Sequence, residues 1–449
     1  MKTASWCAAA AGAFLLAACG GPAEVRETGP EPELPAIRQS LVPVIKIARP
    51  AGWEGELPTV PEGFTITPLA TDLLIPRQML VLPNGDLLVS EGRGGYAPKL
   101  RPKDVIPGYI KGLGTTSVES GNRITLLRDA DGDGQPEVRT VFIEGLDAPY
   151  GLAFADGAIY VANQDALLRF PYSDGQTAIP RSTGVEVTKL PSKVNHHWTK
   201  ALTASADGST LYVGIGSNSN VGERGMDIEE ERAVIWEIDR ATGARRTYAS
   251  GIRNPTALAI NPWTEGLWAV VNERDEIGPH LVPDYLTSVQ PGAFYGWPWS
   301  YWGKNVDPRA RPLQPDMVAR AIAPDYALGG HVAALGLAFA SGGGMGGDYA
   351  EGAFVGQHGS WNRPDLSGYK VTWVPFASGR PAGQQQDFVT GFLVDGKARG
   401  RPVGVAFDPA RTALYIADDL SNTVWRVTPT TGPINPPAAT TADPAVAAD

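Results

Sequence analysis

The chain has 449 residues, and its 53 glycines and 39 prolines exceed the average share of about 12% for these two types. So many turn-forming residues argue against a helical bundle or layered α/β fold. The net charge of −10 makes nucleic-acid binding through a basic face improbable, and 43% hydrophobic residues indicate a globular chain with a sizeable core.

The N-terminus has the features of a bacterial lipoprotein signal. Lys2 supplies a positive charge, and the apolar stretch from Trp6 to Ala18 is too short to span a bilayer stably. The stretch ends in Leu16-Ala17-Ala18-Cys19-Gly20, which resembles a lipobox. We predict a signal peptide over residues 1–18, lipidation of Cys19, and anchoring to the cell-envelope membrane, facing the periplasm or exterior. Ordinary cleavage with a free thiol is the alternative.

Two segments have compositions that differ from the rest. Residues 19–60 contain many prolines, which break helices, and are predicted to form a semi-extended tether. Residues 431–449 are rich in Pro, Ala and Thr and are predicted to be disordered. The folded domain is therefore expected over residues 61–430. Because Cys7 is lost with the signal peptide and Cys19 is the anchor, this domain contains no thiol.

One pattern recurs within this domain: an apolar strand, a turn with Asp, Gly or Pro, and a second apolar strand that ends in small or polar residues. Such alternation around a turn is typical of β-hairpins. Six copies occur, over residues 79–91, 152–164, 202–217, 258–273, 337–358 and 405–419.

Further strand pairs lie between the hairpins, so each unit has about four strands. The sequence therefore predicts an all-β, six-bladed β-propeller of four-stranded antiparallel blades. The alternative, a long β-sandwich, would not predict six copies of one hairpin. Only one strand follows the sixth hairpin, and we predict that the segment from Gly63 to Ala70 completes the last blade.

Polar residues precede two of the hairpins. Asn195-His196-His197-Trp198 leads into the third, where a histidine near the channel can act as a general base. A structural histidine that bonds a loop carbonyl is the alternative. Arg253-Asn254 leads into the fourth and offers donors for carboxylate or quinone oxygens, although an ion-paired turn is also possible.

A separate acidic loop is a candidate calcium site. Asp129, Asp131 and Asp133 have the spacing of the first half of an EF-hand loop, and Gly134 follows them. Position 12 of such a loop would be Thr140, so the bidentate glutamate is missing. A hairpin turn without metal therefore remains open.

Six motifs in order resemble the soluble sugar dehydrogenases that depend on pyrroloquinoline quinone (PQQ), and most closely their L-sorbosone dehydrogenase-like branch. The resemblance runs from about residue 62 to 428. The motifs span residues 251–255, 272–276, 283–285, 292–298, 356–363 and 400–404.

The resemblance implies PQQ and Ca²⁺ as cofactors and His197 as the base that takes a proton from a sugar hemiacetal or aldehyde hydrate while hydride passes to the quinone. It places Arg253 and Asn254 at the quinone, with Arg253 stabilising the oxyanion, and Arg401 at a quinone carboxylate. A second family arginine is Val403 here.

Further positions follow from the same resemblance. Trp361, Asn362 or Arg363 would replace a family lysine. Backbone carbonyls in the stretch from Arg274 to Pro279, which includes Asp275 and Glu276, would hold calcium. A soluble or membrane electron acceptor would reoxidise the quinone.

Two other functions remain open. One is a calcium-dependent lactonase, which needs a carboxylate and Asn side chains around one metal. The other is a non-catalytic propeller lipoprotein that binds carbohydrate or protein, which the loss of a contact at Val403 would permit.

Overall fold

A computed structural model describes residues 26–39, 44–95 and 112–430, and most of their regular structure is β-strand. The predicted signal peptide, Cys19 and the tail over residues 431–449 lie outside these ranges. No helix within them is long and apolar enough to cross a membrane.

Three early strands join sheets that form later in the chain. They are β1 (Thr28–Gly29), β2 (Arg49–Pro50) and β3 (Phe64–Ala70).

Consecutive strands then build antiparallel sheets. Sheet 1 contains β4 (Pro76–Val81), β5 (Leu87–Glu91), β6 (Arg123–Arg128) and β7 (Val138–Ile143). Sheet 2 contains β8 (Gly151–Ala155), β9 (Ala158–Ala162), β10 (Ala166–Pro171) and β11 (Val185–Lys189). Sheet 3 contains β12 (Lys200–Ala204), β13 (Thr210–Ile215), β14 (Val234–Asp239) and β15 (Arg245–Ser250).

The later sheets carry insertions. Sheet 4 contains β16 (Pro255–Ile260), β17 (Leu267–Val271), β18 (Pro283–Ser288) and β21 (Tyr326–Gly330), with β19 (Ser300–Tyr301), β20 (Asn305–Val306) and helix α1 (Pro315–Arg320) inserted. Sheet 5 contains β22 (Ala334–Ala340), β23 (Gly352–Gln357), β24 (Lys370–Ala377), β25 (Arg380–Pro381) and β26 (Gln386–Val389). After β27 (Leu393–Val394) and β28 (Lys397–Ala398), sheet 6 contains β29 (Pro402–Phe407), β30 (Leu414–Asp418) and β31 (Thr423–Pro429). Short 3-10 helices span Arg181–Thr183, Met226–Glu229 and Gly347–Tyr349.

The first strands of these sheets, β4, β8, β12, β16, β22 and β29, pack side by side in that order, and β29 packs against β4 again. A channel of about 170 Å³ lies between them and is lined by residues of all of these strands, including Met79, Leu152 and Leu258. Hydrophobic clusters fill the spaces between neighbouring sheets, as where Leu88 of sheet 1 packs with Phe170 of sheet 2. This is the architecture of a β-propeller, and each predicted hairpin is confirmed.

The closing strand is also confirmed. Strand β3 pairs antiparallel with β31, and Thr65 lies opposite Thr428, so the fourth strand of sheet 6 comes from the other end of the domain. Ile66 and Trp425 are both buried in the core cluster that sheet 6 shares with sheet 5.

The predicted tether is wrong for its described part, residues 26–39 and 44–60, which we call the N-terminal strap. Strand β1 adds to the edge of sheet 4 beside β21, and β2 pairs in parallel with β28. Trp53 packs edge-to-face against Phe392 and Trp425, with ring centroids 5.5 and 5.1 Å apart. Prolines exclude helix here but leave these apolar side chains and short strands free to pack on the propeller.

Candidate active site

All the hairpins are in the same orientation, which brings their polar ends together. In each, the beginning of the first strand pairs with the end of the second. The segments before the first strands and after the second strands therefore meet at one end of the channel, which we call the rim. The pairs are Pro76 with Glu91, Gly151 with Ala162, Lys200 with Ile215, Pro255 with Val271, Ala334 with Gln357, and Pro402 with Asp418.

A cavity of about 230 Å³ opens on the rim. Five residues that the sequence analysis selected line it: His197, Arg253, Asn254, Asp275 and Trp361. The others are His196, Asn272, Glu273, Asp284, His331 and Ala333. Segments that are far apart in sequence are thus brought to one site.

His197 is the side chain best placed to act as a base. Its half-buried imidazole has Nδ1 2.7 Å from the carbonyl oxygen of Ser217 and 3.0 Å from its hydroxyl. A carbonyl only accepts hydrogen bonds, so Nδ1 carries the proton and Nε2 keeps its lone pair. Burial, the Arg253 guanidinium and the neighbouring His196 lower the pKa of His197 well below its usual value. The ring is therefore neutral near neutral pH.

The backbone around His197 is fixed by a buried polar group. Asn195 adopts a positive φ of 40°, which asparagine tolerates better than most residues. Its side-chain oxygen accepts from Lys200 Nζ at 3.0 Å and from Arg232 Nη1 at 3.2 Å. Arg232 also donates to the carbonyl of His197 at 2.9 Å. These contacts hold the histidine at the cavity wall.

Arg253 is 3% exposed and is surrounded by acceptors. Its Nε and Nη2 donate to the carbonyl and side-chain oxygens of Asn220, at 3.2 and 3.1 Å. Its Nη1 donates to the carbonyls of Asn272 and Glu273, at 3.2 and 2.7 Å. Most of its donors therefore hold the cavity walls, and its positive charge is its main contribution to the cavity.

Glu273 and Asp284 are two buried carboxyl groups in the cavity. Both lie within the sequence motifs, but the sequence predicted no role for them. Burial raises the pKa of Glu273 to about 7 and that of Asp284 to about 6. Asp284 accepts from the backbone N–H groups of Glu273 and Ala333, at 2.8 and 2.7 Å. The signal that could have identified Glu273 is its position at the end of the fourth hairpin.

The sequence predicted no role for His331, but this residue lines the cavity and lies in a polar network. Its Nε2 lies 2.9 Å from the carbonyl of Gly278, and its Nδ1 lies 3.4 Å from Asp275. Although burial opposes the charged form, Asp275 and Gly278 raise its pKa. Asn362 donates to Asp275 at 2.6 Å and lies 3.2 Å from His331. Asn362 thus contacts two side chains that line the cavity, those of Asp275 and His331.

Arg401 lies in a second group on the rim. Its Nη2 donates to the Tyr369 hydroxyl at 3.1 Å, and its Nη1 lies 3.5 Å from Nδ1 of His358. His358 Nε2 lies 2.8 Å from Asp419, which also forms an ion pair with Arg77. His358 donates its backbone N–H to Ala333 in the cavity wall at 2.9 Å. The second group therefore adjoins the cavity.

Three predicted residues have side chains directed elsewhere. Arg274 is buried and lies 2.9 Å from Asp307, and Glu276 pairs with Arg309 at 2.8 Å. Arg363 donates to the carbonyl of Gly330 at 3.0 Å and to Glu27 of the N-terminal strap at 3.2 Å. None of the three lines the cavity. Their side chains position loops.

The acidic loop brings together Asp129, Asp131, Asp133 and Glu137, with potential ligand oxygens within 4.8 Å of one another. Several of these oxygens accept backbone N–H groups, as from Gly132 and Gly134 to Asp129 at 2.8 Å. The loop can fold on these bonds alone, so it is a candidate site separate from the cavity.

Solved structures share this fold. The iodide and calcium structures of the Trichoderma reesei carbohydrate-active enzyme family AA12 are 19% and 18% identical, with a TM-score of 0.67 over 86% of this chain and 99% of theirs. The holo pyranose dehydrogenase PQQ domain from Coprinopsis cinerea is 20% identical, with a TM-score of 0.66 over 83% of this chain and 97% of its own.

Sequence comparison identifies the family. A family model described as TrAA12-like matches residues 117–290 and 315–430, which is more than half of the chain. The chain belongs to the TrAA12-like family. A shorter match is to the aldose sugar dehydrogenase YliI of Escherichia coli K12, which is 38% identical over 80 residues, covering 18% of this chain and 19% of that protein.

Proposed function

We propose that this protein is a PQQ- and calcium-dependent dehydrogenase that oxidises a sugar hemiacetal or an aldehyde on a six-bladed propeller. The observation that carries the proposal is the neutral His197 beside the buried Arg253 and Asn254 in one rim cavity. A base of lowered pKa next to a fixed positive charge suits proton removal from a hydroxyl.

His197 would bind the substrate hydroxyl through Nε2 and accept its proton there, while Nδ1–H remains bonded to Ser217. Arg253 favours negative charge that develops on the substrate oxygen, because its guanidinium is buried and already oriented.

The residues present fit a planar quinone with carboxylate groups. Arg401 has a buried Nε atom without a hydrogen-bond partner in the described part of the chain, a donor that suits a carboxylate, and Asn254, which is 6% exposed, lines the cavity. Arg253, Asn254 and Arg401 would hold PQQ, with Trp361 in the wall of the same cavity. When bound, PQQ accepts the hydride that leaves the substrate carbon.

Calcium is supported by oxygen atoms on the same side of the rim. Asn254 and Asn272 each have a buried side-chain oxygen with no partner among residues of the described ranges, and Glu273 lines the same cavity. Such oxygens are the ligands that calcium prefers. Backbone carbonyls between Arg274 and Pro279 would contribute further ligands. Calcium in the loop from Asp129 to Asp133 is a separate proposal.

Reconstitution tests the function. Apo-protein is mixed with PQQ and Ca²⁺, and reduction of a redox dye is followed with a panel of aldoses and aldehydes. Dye reduction that requires both additions and one class of substrate supports the proposal. Lactone hydrolysis with Ca²⁺ alone would instead favour a lactonase, and saturable sugar binding without turnover would favour a binding protein.

The cellular location is a separate proposal, and it rests on the lipobox sequence. With Cys19 lipidated, the enzyme would act at the outer side of a cell-envelope membrane and pass electrons to a soluble or membrane acceptor. The Cys19→Ala variant should appear in the soluble periplasmic fraction. A variant that still pellets with membranes would contradict the lipid anchor.

A further inference from the structure

We propose that Arg77, at the entrance of the first hairpin, binds a carboxylate of the cofactor together with Arg401. This inference rests on the proposed function. It adds a residue that the sequence motifs do not contain and places the anionic end of the ligand on the side of the rim opposite Glu273.

The position of Arg77 follows from the hairpin register. Arg77 is the second residue of β4, whose first residue, Pro76, pairs with Glu91 at the rim end of sheet 1. Arg401 directly precedes β29 at the rim end of sheet 6. Since β4 and β29 are neighbours in the ring, the two arginines lie on adjoining sheets.

Arg77 is held with its guanidinium already oriented. The guanidinium carbon lies 5.6 Å from the ring centre of Tyr150 and 5.3 Å from that of Trp198, within cation–π range. Trp198 directly follows the proposed base, His197, so the stacked arginine adjoins the catalytic segment. Arg77 Nε is buried without a partner among the residues described, as is Arg401 Nε.

The charges around Arg77 and Arg401 do not balance. Their shared carboxylate is Asp419, whose pKa is lowered to about 2 although burial opposes this, because His358 and Arg77 stabilise its charge. Burial lowers the pKa of His358, although Asp419 opposes this. Its Nε2–H donates to Asp419 at 2.8 Å.

Two other charged residues adjoin this group. Asp418 is occupied by the backbone N–H groups of Arg401 and Ser421 and by the indole of Trp425, and burial raises its pKa. Arg93 is close enough for Asp419 and Arg77 to influence its pKa, which burial lowers. The largely buried guanidinium groups of Arg77 and Arg401 thus adjoin Asp419, whose pKa is lowered, and the exposed Arg93 adds positive charge nearby. Buried positive charge without a counter-ion is costly, so this group favours an anionic ligand.

The opposite side of the rim carries the carboxyl groups of the cavity together with Arg253. Glu273, Asp275 and Asp284 line the cavity there, beside the oxygens proposed to bind calcium. A ligand that chelates a cation at one end and carries carboxylates at the other matches this polarity. Val403, two residues after Arg401, is 0% exposed and apolar, so the second cation beside Arg401 comes from Arg77 on the neighbouring sheet.

The test measures PQQ binding directly, by titration of apo-protein with Ca²⁺ and no substrate. Arg77→Gln should weaken binding by about 10–100-fold, the range expected for one charged hydrogen bond of ~1.5–3 kcal/mol. Arg401→Gln should do the same. The matched control is Arg246→Gln, because Arg246 is an exposed arginine on β15 that pairs with Glu237.

PQQ trimethyl ester separates the carboxylate contact from a general disturbance of the fold. The ester should bind wild type and Arg77→Gln equally, because it lacks the charges that Arg77 recognises. If Arg77→Gln does not fold, Arg77→Lys is used instead in the same titrations with PQQ and its ester. Equal loss of PQQ and ester affinity, or unchanged PQQ affinity in a folded variant, would overturn the role of Arg77. If wild type itself does not bind PQQ, the proposed function fails.

Discussion

Nδ1 of His197 lies 2.7 Å from the backbone carbonyl oxygen of Ser217. His197 precedes β12, and Ser217 follows β13, the strand that pairs with β12. One hairpin therefore provides both the imidazole and the acceptor that fixes its tautomer. The bond leaves Nε2 as the basic nitrogen.

The first prediction follows from this tautomer. His197→Ala should lower kcat by about 10²–10⁴-fold, the usual span for loss of a general base. PQQ affinity, measured by titration, should change little. His196→Ala is the comparison variant and should lower kcat far less, because the His196 ring lies 4.8 Å from that of His197 but is exposed. If His196→Ala loses turnover and His197→Ala does not, the base is His196.

The second prediction concerns pH. A base acts when unprotonated, and the pKa of His197 lies well below its usual value because of burial, Arg253 and His196. The acidic limb of the kcat/KM profile should therefore lie below pH ~6.5, the ordinary histidine value. Arg253→Gln should move this limb upward by removing one cause of the lowered pKa. A wild-type limb above pH 6.5 would argue against His197.

The third prediction concerns stability. Asp419 has its pKa lowered from 3.8 to about 2 in the folded state despite burial, since His358 and Arg77 stabilise its charge. Its contribution is present above pH 3.8 and is lost as the pH falls towards 2. Asp419→Asn should thus reduce the free energy of unfolding by about 2 kcal/mol at pH 7.

The check is denaturant unfolding of wild type and Asp419→Asn between pH 3 and 7. The difference between them should shrink towards the acidic end. A difference that stays constant over this range would mean that the carboxylate charge is not what stabilises the group.

The fourth prediction tests the N-terminal strap. Trp53→Ala should lower the free energy of unfolding by about 2 kcal/mol, below the ~3–5 kcal/mol of a fully buried tryptophan because this ring is half-buried. The matched control is Leu57→Ala, since Leu57 is 49% exposed in the same segment. Equal unfolding curves for wild type and Trp53→Ala would instead support the prediction that this segment is a free tether.

The sequence predicted those elements of the fold that local alternation of apolar and polar residues determines. The hairpins and the strand from Gly63 to Ala70 were visible because apolar periodicity and turn residues occur within about fifteen positions. The strap was misjudged because the partners of β1 and β2 lie hundreds of residues later, and two-residue strands leave no periodic pattern.

The candidate site was predicted in part for the same reason. His197, Arg253 and Asn254 were selected from short motifs, whereas Asp284 and His331 come together only through the pairing of β18 with β21, between which β19, β20 and α1 are inserted. Arg363 was expected at the cofactor, yet its partner, Glu27, belongs to the strap that composition alone described as free.

The pairing of β3 with β31 has a consequence for biosynthesis. Thr65 and Thr428, which face each other across this pair, are separated by 363 positions, so the ribosome makes the closing strand long before its partner. Until then the nascent chain presents an unpaired strand edge, which can template aggregation. We expect this protein to depend on chaperones that shield its first strands until β31 has been made.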